Sequence, residues 1–270
     1  LDSVAQARAV VAASKAAGIK ISAMIEIDSD GHRGGLVCDD PELIEVGRIL
    51  HAGAELRGVL THAGDSYFAV GRDAQAVFAK AERDGVVGAA AALRAAGLPC
   101  PVVSVGSTPT AHAAQDLTGV TEMRAGVYVF FDLVMAGIGV CEVDDIALSV
   151  LTTVMGHQEK RGWVLVDAGW MAMSRDRGTA NQAVDQGYGL VCDEAGEILP
   201  DLVVLQANQE HGVIAVREGS GGVLPDLPVG TRLRVLPNHA CATAAQHQQY
   251  HVIPRDAGAA LMEWSRFGGW

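Results

Sequence analysis

Several things are scarce in this 270-residue chain, and each scarcity removes a class of protein. The cysteines Cys38, Cys100, Cys141, Cys192 and Cys241 are far apart, odd in number and contain no Cys-x-x-Cys pair. That argues against a disulfide framework and for a reducing compartment. Basic residues are few: 20 Lys and Arg stand against 32 Asp and Glu, a net charge of −12. No nucleic acid and no anionic membrane is expected as a partner, although a local pocket can still oppose the global field around a small anion. The longest apolar run, from Val127 to Cys141, is broken by Asp132 and is too short to span a bilayer. No signal-peptide pattern is visible, so a cytoplasmic protein is expected. No strand is followed by Gly-x-Gly-x-x-Gly, and no lysine completes a Walker loop. What the chain does have is 49% hydrophobic and 19% charged residues, a composition able to bury a sizeable core.

The first half alternates helix and strand. A helix-like stretch begins at once, with Asp2 or Ser3 as N-cap and Gly18 as stop. Because the chain opens on Leu1 directly in this stretch, its beginning is expected to be absent. Residues 21–27 read as a strand. Asp40-Pro41 opens a helix with Leu43, Ile44, Val46, Ile49 and Leu50 on its buried side and Gly53 as stop. Residues 56–60 form the next strand, and an Ala-rich helix runs from Asp73 to Ala96 and ends at Gly97. A strand at 101–105, a short helix after Thr110 and an extended stretch near 122–131 follow. This order implies parallel strands with right-handed crossovers. The fold class expected is α/β: a partial (β/α)8 TIM-type barrel over residues 1–145, with polar, glycine-containing loops at the strand C-terminal ends where such barrels keep their sites. Beyond it, short β-type runs at 148–154, 163–166, 203–205, 213–216, 233–236 and 251–253 predict a mostly β domain over residues 146–270.

Chemistry-bearing residues gather in those loops. Gly106-Ser107-Thr108-Pro109-Thr110 follows a strand, and its N–H groups and hydroxyls suit a phosphate. The same residues also make an ordinary Ser/Thr turn and N-cap. In Glu122-Met123-Arg124-Ala125-Gly126-Val127-Tyr128, Gly126 permits close backbone approach and Tyr128 offers a phenol to an anion; a packed strand end is the other reading. Thr61-His62-Ala63-Gly64-Asp65-Ser66-Tyr67 crowds His, Asp and Tyr on the expected catalytic face. The loop 28–35 briefly matches calcium-loop spacing, but Asp39 falls where the twelfth-position Glu belongs, and the match is rejected. Arg33 in that loop can reach an anion, or the loop is simply solvated. In Asn238-His239-Ala240-Cys241, residues i and i+2 of an extended segment point to one side. Imidazole and thiolate so placed suit a borderline or soft cation and leave positions open for water and substrate; a buried Cys beside an unrelated His is the alternative. Gln209-Glu210-His211-Gly212 reads as an acid/base pair or an exposed turn.

In order, the segments THAGDSYF, SVGSTPT, TEMRAGVYVFFD, DAGWMAMSRDRG, NQEHG, PNHACAT and a closing RFGGW resemble one group of enzymes. These are the pyridoxal-phosphate enzymes of the alanine racemase fold type that include D-threonine aldolase, D-serine dehydratase and D-threo-3-hydroxyaspartate dehydratase. The resemblance implies two cofactors, pyridoxal 5'-phosphate and a divalent metal, with zinc ahead of manganese or magnesium. It implies that Gly106, Ser107, Thr108, Gly126, Val127 and Tyr128 hold the phosphate. Arg124 would face the pyridine nitrogen, Arg33 would lie towards the ring hydroxyl, and His62 and Tyr67 would line cofactor and substrate. His239 and Cys241 match the family's metal ligands. The family's Schiff-base lysine, in a run like PHxKTHK, has no counterpart, because Lys15, Lys20, Lys80 and Lys160 stand in other contexts. It is expected upstream of Leu1, and no catalytic residue is assigned within the chain. The implied activity is that of a lyase on D-β-hydroxy amino acids: dehydration of D-3-hydroxyaspartate or D-serine, or aldol cleavage of D-threonine. The cofactor would take up the electron pair left at Cα, and the metal would bind the β-hydroxyl. Partners implied are the small-molecule substrate and a second copy of the chain in a homodimer. The alternative is a degenerate barrel or non-catalytic pyridoxal-phosphate-binding protein.

Overall fold

The computed structural model describes residues 1–254 and 258–268; Gly269 and Trp270, at the end of the RFGGW segment, lie outside the described residues. Contacts divide the chain into two compact units. One comprises Leu1–Tyr128 with Ile138–Val140, the other Val129–Gly137 with Cys141 onward. The segment 129–137, placed by sequence in the barrel half, thus packs with the second unit.

In the first unit, α1 (Val4–Ala17) is capped by Ser3, whose hydroxyl accepts the Gln6 N–H, and ends on Gly18 at φ 66°. The strand β1 (Ser22–Glu26) follows. The helix α2 (Pro41–Gly53) begins where expected: Asp40 accepts the Glu42 N–H at 2.8 Å and Pro41 occupies the first turn, whose N–H has no intrahelical acceptor to lose. Its C-cap is Ala54 in an extended conformation, so Gly53 is the last helical residue rather than the stop. Then come β2 (Glu55–Leu60), α3 (Arg72–Ala95), β3 (Val102–Val105), α4 (Thr108–Ala113) and β4 (Glu122–Met123).

The four strands form one parallel sheet in the order β1-β2-β3-β4, as the alternation of helix and strand requires. Ile25, Ile27, Leu43, Leu50, Val59, Val86, Leu93 and Val103 fill the core between sheet and helices. Two local expectations change. The helix after β3 starts at Thr108, because Ser107 caps it. The extended stretch near 122–131 shrinks to two strand residues, followed by a 3₁₀ turn at Val127–Val129.

The second unit is a closed antiparallel barrel in the order β10-β5-β6-β9-β8-β7. Its strands are β5 (Val150–Gln158), β6 (Trp163–Val166), β7 (Leu190–Asp193), β8 (Ile198–Ala207), β9 (Gly212–Val216) and β10 (Arg232–Leu236). Alternating residues from all six, among them Val154, Val164, Val191, Leu202, Ile214 and Leu233, meet inside. Closure leaves no free sheet edge to pair with another chain. Short helices α5 (Leu133–Gly137), α6 (Trp170–Met173) and α7 (Ala240–Ala244) decorate the barrel. The strands β11 (Gln249–Val252) and β12 (Met262–Ser265) form a separate antiparallel ribbon. Among the described residues, no helix is long and apolar enough to cross a membrane.

One glycine sets the spacing of the parallel sheet. Gly58 on β2 has φ +147°, and a Cβ built there would stand 1.9 Å from the Val102 carbonyl oxygen on β3. Gly58→Ala should therefore lower unfolding stability by more than about 1 kcal/mol, since it adds both backbone strain and overlap. Chemical denaturation followed by far-UV circular dichroism checks this, and an unchanged midpoint would contradict it.

Candidate functional site

The loops after β2, β3 and β4 leave the same end of neighbouring parallel strands, so their side chains converge. His62, two residues past β2, bonds through Nδ1 to the Gly106 carbonyl, and its ring lies 5.9 Å from that of Tyr67. A carbonyl can only accept, so Nδ1 carries the proton and Nε2 is left with a free lone pair. Burial lowers the His62 pKa; the Gly106 bond opposes this, and the charges of Arg33 and Arg124 add to the lowering. Arg124 donates through Nε to Ser104 Oγ at 2.7 Å and through Nη2 to the Thr61 carbonyl. Its side chain lies against Gly106, where a Cβ would come within 3.1 Å of it. Arg33 bonds to Glu26 at 3.3 Å and is largely exposed.

The organiser of these loops is a residue that motif reading passed over. Glu82 on α3 is 2% exposed. Its Oε1 accepts the N–H groups of Gly106 (2.9 Å) and Ala63 (3.2 Å), and its Oε2 accepts the Thr110 hydroxyl (2.7 Å). Ser107 lies 2.7 Å from the Thr110 hydroxyl and 3.0 Å from that of Ser66, which donates to the Ala63 carbonyl at 2.6 Å. The Gly106 N–H and the Ser107 hydroxyl are thus committed within the protein. The Thr108 hydroxyl, whose oxygen accepts the Tyr128 N–H at 3.3 Å, keeps its proton for an anion, and the guanidinium of Arg124 lies in the same loops. The space beside Gly126 is also open. Val127 is buried, while Tyr128 is exposed. An anionic group fits this donor set. A sequence signal for Glu82 did exist: it stands on the α3 stripe of Gln75, Ala79, Val86, Ala89 and Leu93, all buried, where a carboxylate must be paired.

In the second unit, β10 leads into Asn238, which is 3% exposed. Its Oδ1 accepts the Thr179 hydroxyl at 2.6 Å and its Nδ2 donates to the carbonyls of Gly187 (2.6 Å) and Asp176 (3.3 Å). His239 is the N-cap residue of α7, and Cys241 lies in that helix's first turn. The strand-type alternation expected for the pair is therefore corrected: a helix start, not an extended segment, brings them together. The turn is held by Asp132, 1% exposed, which accepts the N–H groups of Ala240 (2.9 Å) and Met135 (3.0 Å). Burial raises the Asp132 pKa against these bonds.

His239 Nδ1 lies 2.7 Å from Asp176 Oδ2, and the Cys241 thiol is within hydrogen-bonding reach of the same ring. Asp176 first and Cys241 second hold the imidazolium up to about 10, while the bond to His239 lowers Asp176. Nδ1 being engaged, Nε2 is the nitrogen left for a metal. Imidazole and thiol fit a borderline cation. Among the described residues no group of three or more His, Cys, Asp or Glu could hold a metal, so other positions would fall to water or substrate. Glu210 and His211 lie in the exposed turn between β8 and β9. Lys15, Lys20, Lys80 and Lys160 are all exposed, and none stands in the loops after β2, β3 or β4.

Residues 1–134 match the alanine racemase N-terminal domain, and residues 147–253 match a serine dehydratase domain. The chain is 57% identical to D-threo-3-hydroxyaspartate dehydratase of Delftia sp., across 100% of this chain and 72% of that protein. The chain belongs to this family. The solved structure of the Delftia enzyme superposes with a TM-score of 0.93 at 56% identity, again over 100% of this chain and 72% of the other. Solved structures of D-threo-3-hydroxyaspartate dehydratase include a histidine-to-alanine variant, and a cysteine-to-alanine variant in a metal-free form. More distant is a D-serine dehydratase of Dictyostelium discoideum, 30% identical over 88% of this chain and 62% of its own length. D-threonine aldolase of Filomicrobium marinum superposes with a TM-score of 0.74 at 25% identity over 98% of this chain and 68% of that one. The family reading drawn from the ordered motifs therefore stands, and so does the α/β architecture with a β second half.

Two outcomes test the geometry of the first unit. Glu82→Leu should strand the amides of Ala63 and Gly106, abolishing their hydrogen-exchange protection and lowering stability by about 2–5 kcal/mol; Glu82→Gln, which keeps an acceptor, should do less. His62, followed by NMR, should titrate below the ordinary imidazole range. The native state then binds fewer protons there than the unfolded chain, so stability from this site is lost as pH falls through that range. A midpoint at or above the ordinary value would contradict the assignment.

Proposed function

We propose that this chain carries the cofactor loops and the metal pair of a pyridoxal-phosphate- and metal-dependent lyase that dehydrates a D-3-hydroxy amino acid, D-threo-3-hydroxyaspartate first. The observation that carries the reading is the His239–Cys241 pair, held by Asp132 and backed by Asp176. The 57% identity to a dehydratase of that substrate supports dehydration over aldol cleavage.

Gly106, Ser107, Thr108, Gly126, Val127 and Tyr128 would line the phosphate, with Thr108 giving a hydroxyl proton while the committed Gly106 N–H and Ser107 hydroxyl shape the loop around it. Arg124 would face the ring nitrogen; its guanidinium keeps its proton throughout the working range, so it can only donate. Arg33 would meet the other side of the ring. His62, neutral and with Nε2 open, would hold or accept a proton beside Tyr67. Bound pyridoxal phosphate supplies an electron sink for the pair left at Cα. A metal on His239 and Cys241 supplies Lewis acidity towards the β-hydroxyl. Zinc suits an imidazole–thiolate pair better than the harder magnesium or manganese. We further propose a homodimer in the cytoplasm. The free state of all five cysteines supports a reducing compartment, and the exposed Met262 and Trp264 on the β11–β12 ribbon support a contact with a second copy.

A second reading, a pyridoxal-phosphate-binding protein without turnover, is supported by the placement of the four lysines away from the loops. The protein expressed from its complete reading frame, loaded with pyridoxal phosphate and zinc, separates the readings. Dehydration yields oxaloacetate and ammonia from D-threo-3-hydroxyaspartate, whereas aldol cleavage would give glycine and glyoxylate. Cofactor binding with neither product would favour the second reading. His239→Ala and Cys241→Ala should each cut zinc affinity at least about tenfold and abolish ammonia release.

A further inference from the structure

We propose that Asp176 is the positioning residue of the metal centre: its carboxylate fixes which nitrogen of His239 is offered to a divalent cation and strengthens that nitrogen as a donor. The inference rests on the reading of His239 and Cys241 as ligands and adds a residue from a different part of the chain.

Asp176 Oδ2 and His239 Nδ1 are 2.7 Å apart across a separation of 63 residues. An ionised carboxylate only accepts, so Nδ1 donates and the lone pair of the neutral ring is confined to Nε2. Without that bond, either nitrogen could carry the proton and the ring could turn over. A carboxylate behind a ligating imidazole also pushes electron density through the ring and makes the far nitrogen more basic.

Asp176 is itself held on every side. Its Oδ1 accepts the Gly178 N–H at 2.7 Å, and its own N–H goes to Ser174 Oγ at 3.2 Å. Its carbonyl accepts from Asn238 Nδ2 at 3.3 Å. Asn238 immediately precedes His239. The carboxylate loop and the ligand turn are therefore tied through the backbone as well as through the imidazole. Such a double tie fixes ring orientation more tightly than a surface ion pair, whose side chains stay free to part.

The test needs neither pyridoxal phosphate nor turnover. Zinc is titrated into the full chain against a chromophoric chelator, for wild type, Asp176→Asn, Asp176→Ala, His239→Ala and Cys241→Ala. Asp176→Asn keeps an acceptor for Nδ1 but loses the charge, so zinc affinity should fall by several-fold; Asp176→Ala loses both and should fall by about 10–100-fold. Histidine ¹⁵N NMR of the zinc-loaded chain supplies a readout that a merely structural role would not move. The Nδ1-protonated form should be the only one in wild type and in Asp176→Asn, and should lose its exclusivity in Asp176→Ala. Unchanged affinity and a single tautomer in both Asp176 variants, with His239→Ala and Cys241→Ala still weakened, would overturn the role of Asp176 while leaving the metal pair intact. Unchanged zinc binding in His239→Ala and Cys241→Ala would overturn the metal reading and this inference together.

Discussion

Backbone N–H groups at the turns where strand gives way to loop cannot be left unpaired once buried, each such failure costing about 1–3 kcal/mol. In both units a buried carboxylate meets that demand. Glu82 takes the N–H groups of Ala63 and Gly106, one from the loop after β2 and one from the loop after β3. Asp132 takes those of Met135 and Ala240, and so joins the starts of α5 and α7. Neither side chain is aimed at a ligand. Each fixes backbone next to the side chains proposed to face a ligand: Glu82 beside His62 and Thr108, Asp132 beside His239 and Cys241.

The charge distribution carries the same logic outward. A chain with a net charge of −12 places Arg33 and Arg124 near the imidazole of His62, where both act against its protonation while Glu82 acts for it. At α7 the arrangement inverts. The carboxylate of Asp176 draws a proton onto His239, and a cation bound there would compete with that proton. On the proposed reading one unit would offer positive charge to an anion and the other negative charge to a cation, each through a few side chains held by buried acceptors.

Much of this was legible in the residues. Ser3, Gly18, Asp40 and Pro41 announce their helix ends because capping chemistry is local. The parallel sheet follows from the alternation of helix and strand, and the second half's short β runs foretell a β domain. What the sequence hid depends on distance in the chain. The strand β7 is only Leu190–Asp193, and it becomes a strand by pairing with β10 and β8. Asp176 and His239 are 63 residues apart, and nothing local marks them as partners. Glu82 lay open to detection by its position on a buried helical stripe, but its three acceptor bonds depend on loops that only the fold assembles. The HxC pair reads in sequence as strand alternation, and the structure replaces that with a helix start; both can set residues i and i+2 near one another.

That replacement alters how the pair tolerates change. Along a strand, inserting two residues restores a side chain to its original face. Around α7 every added or deleted residue swings the thiol by about 100° about the helix axis. The interval from His239 to Cys241 would therefore work as a ruler, since a change in its length would carry the thiol away from the imidazole.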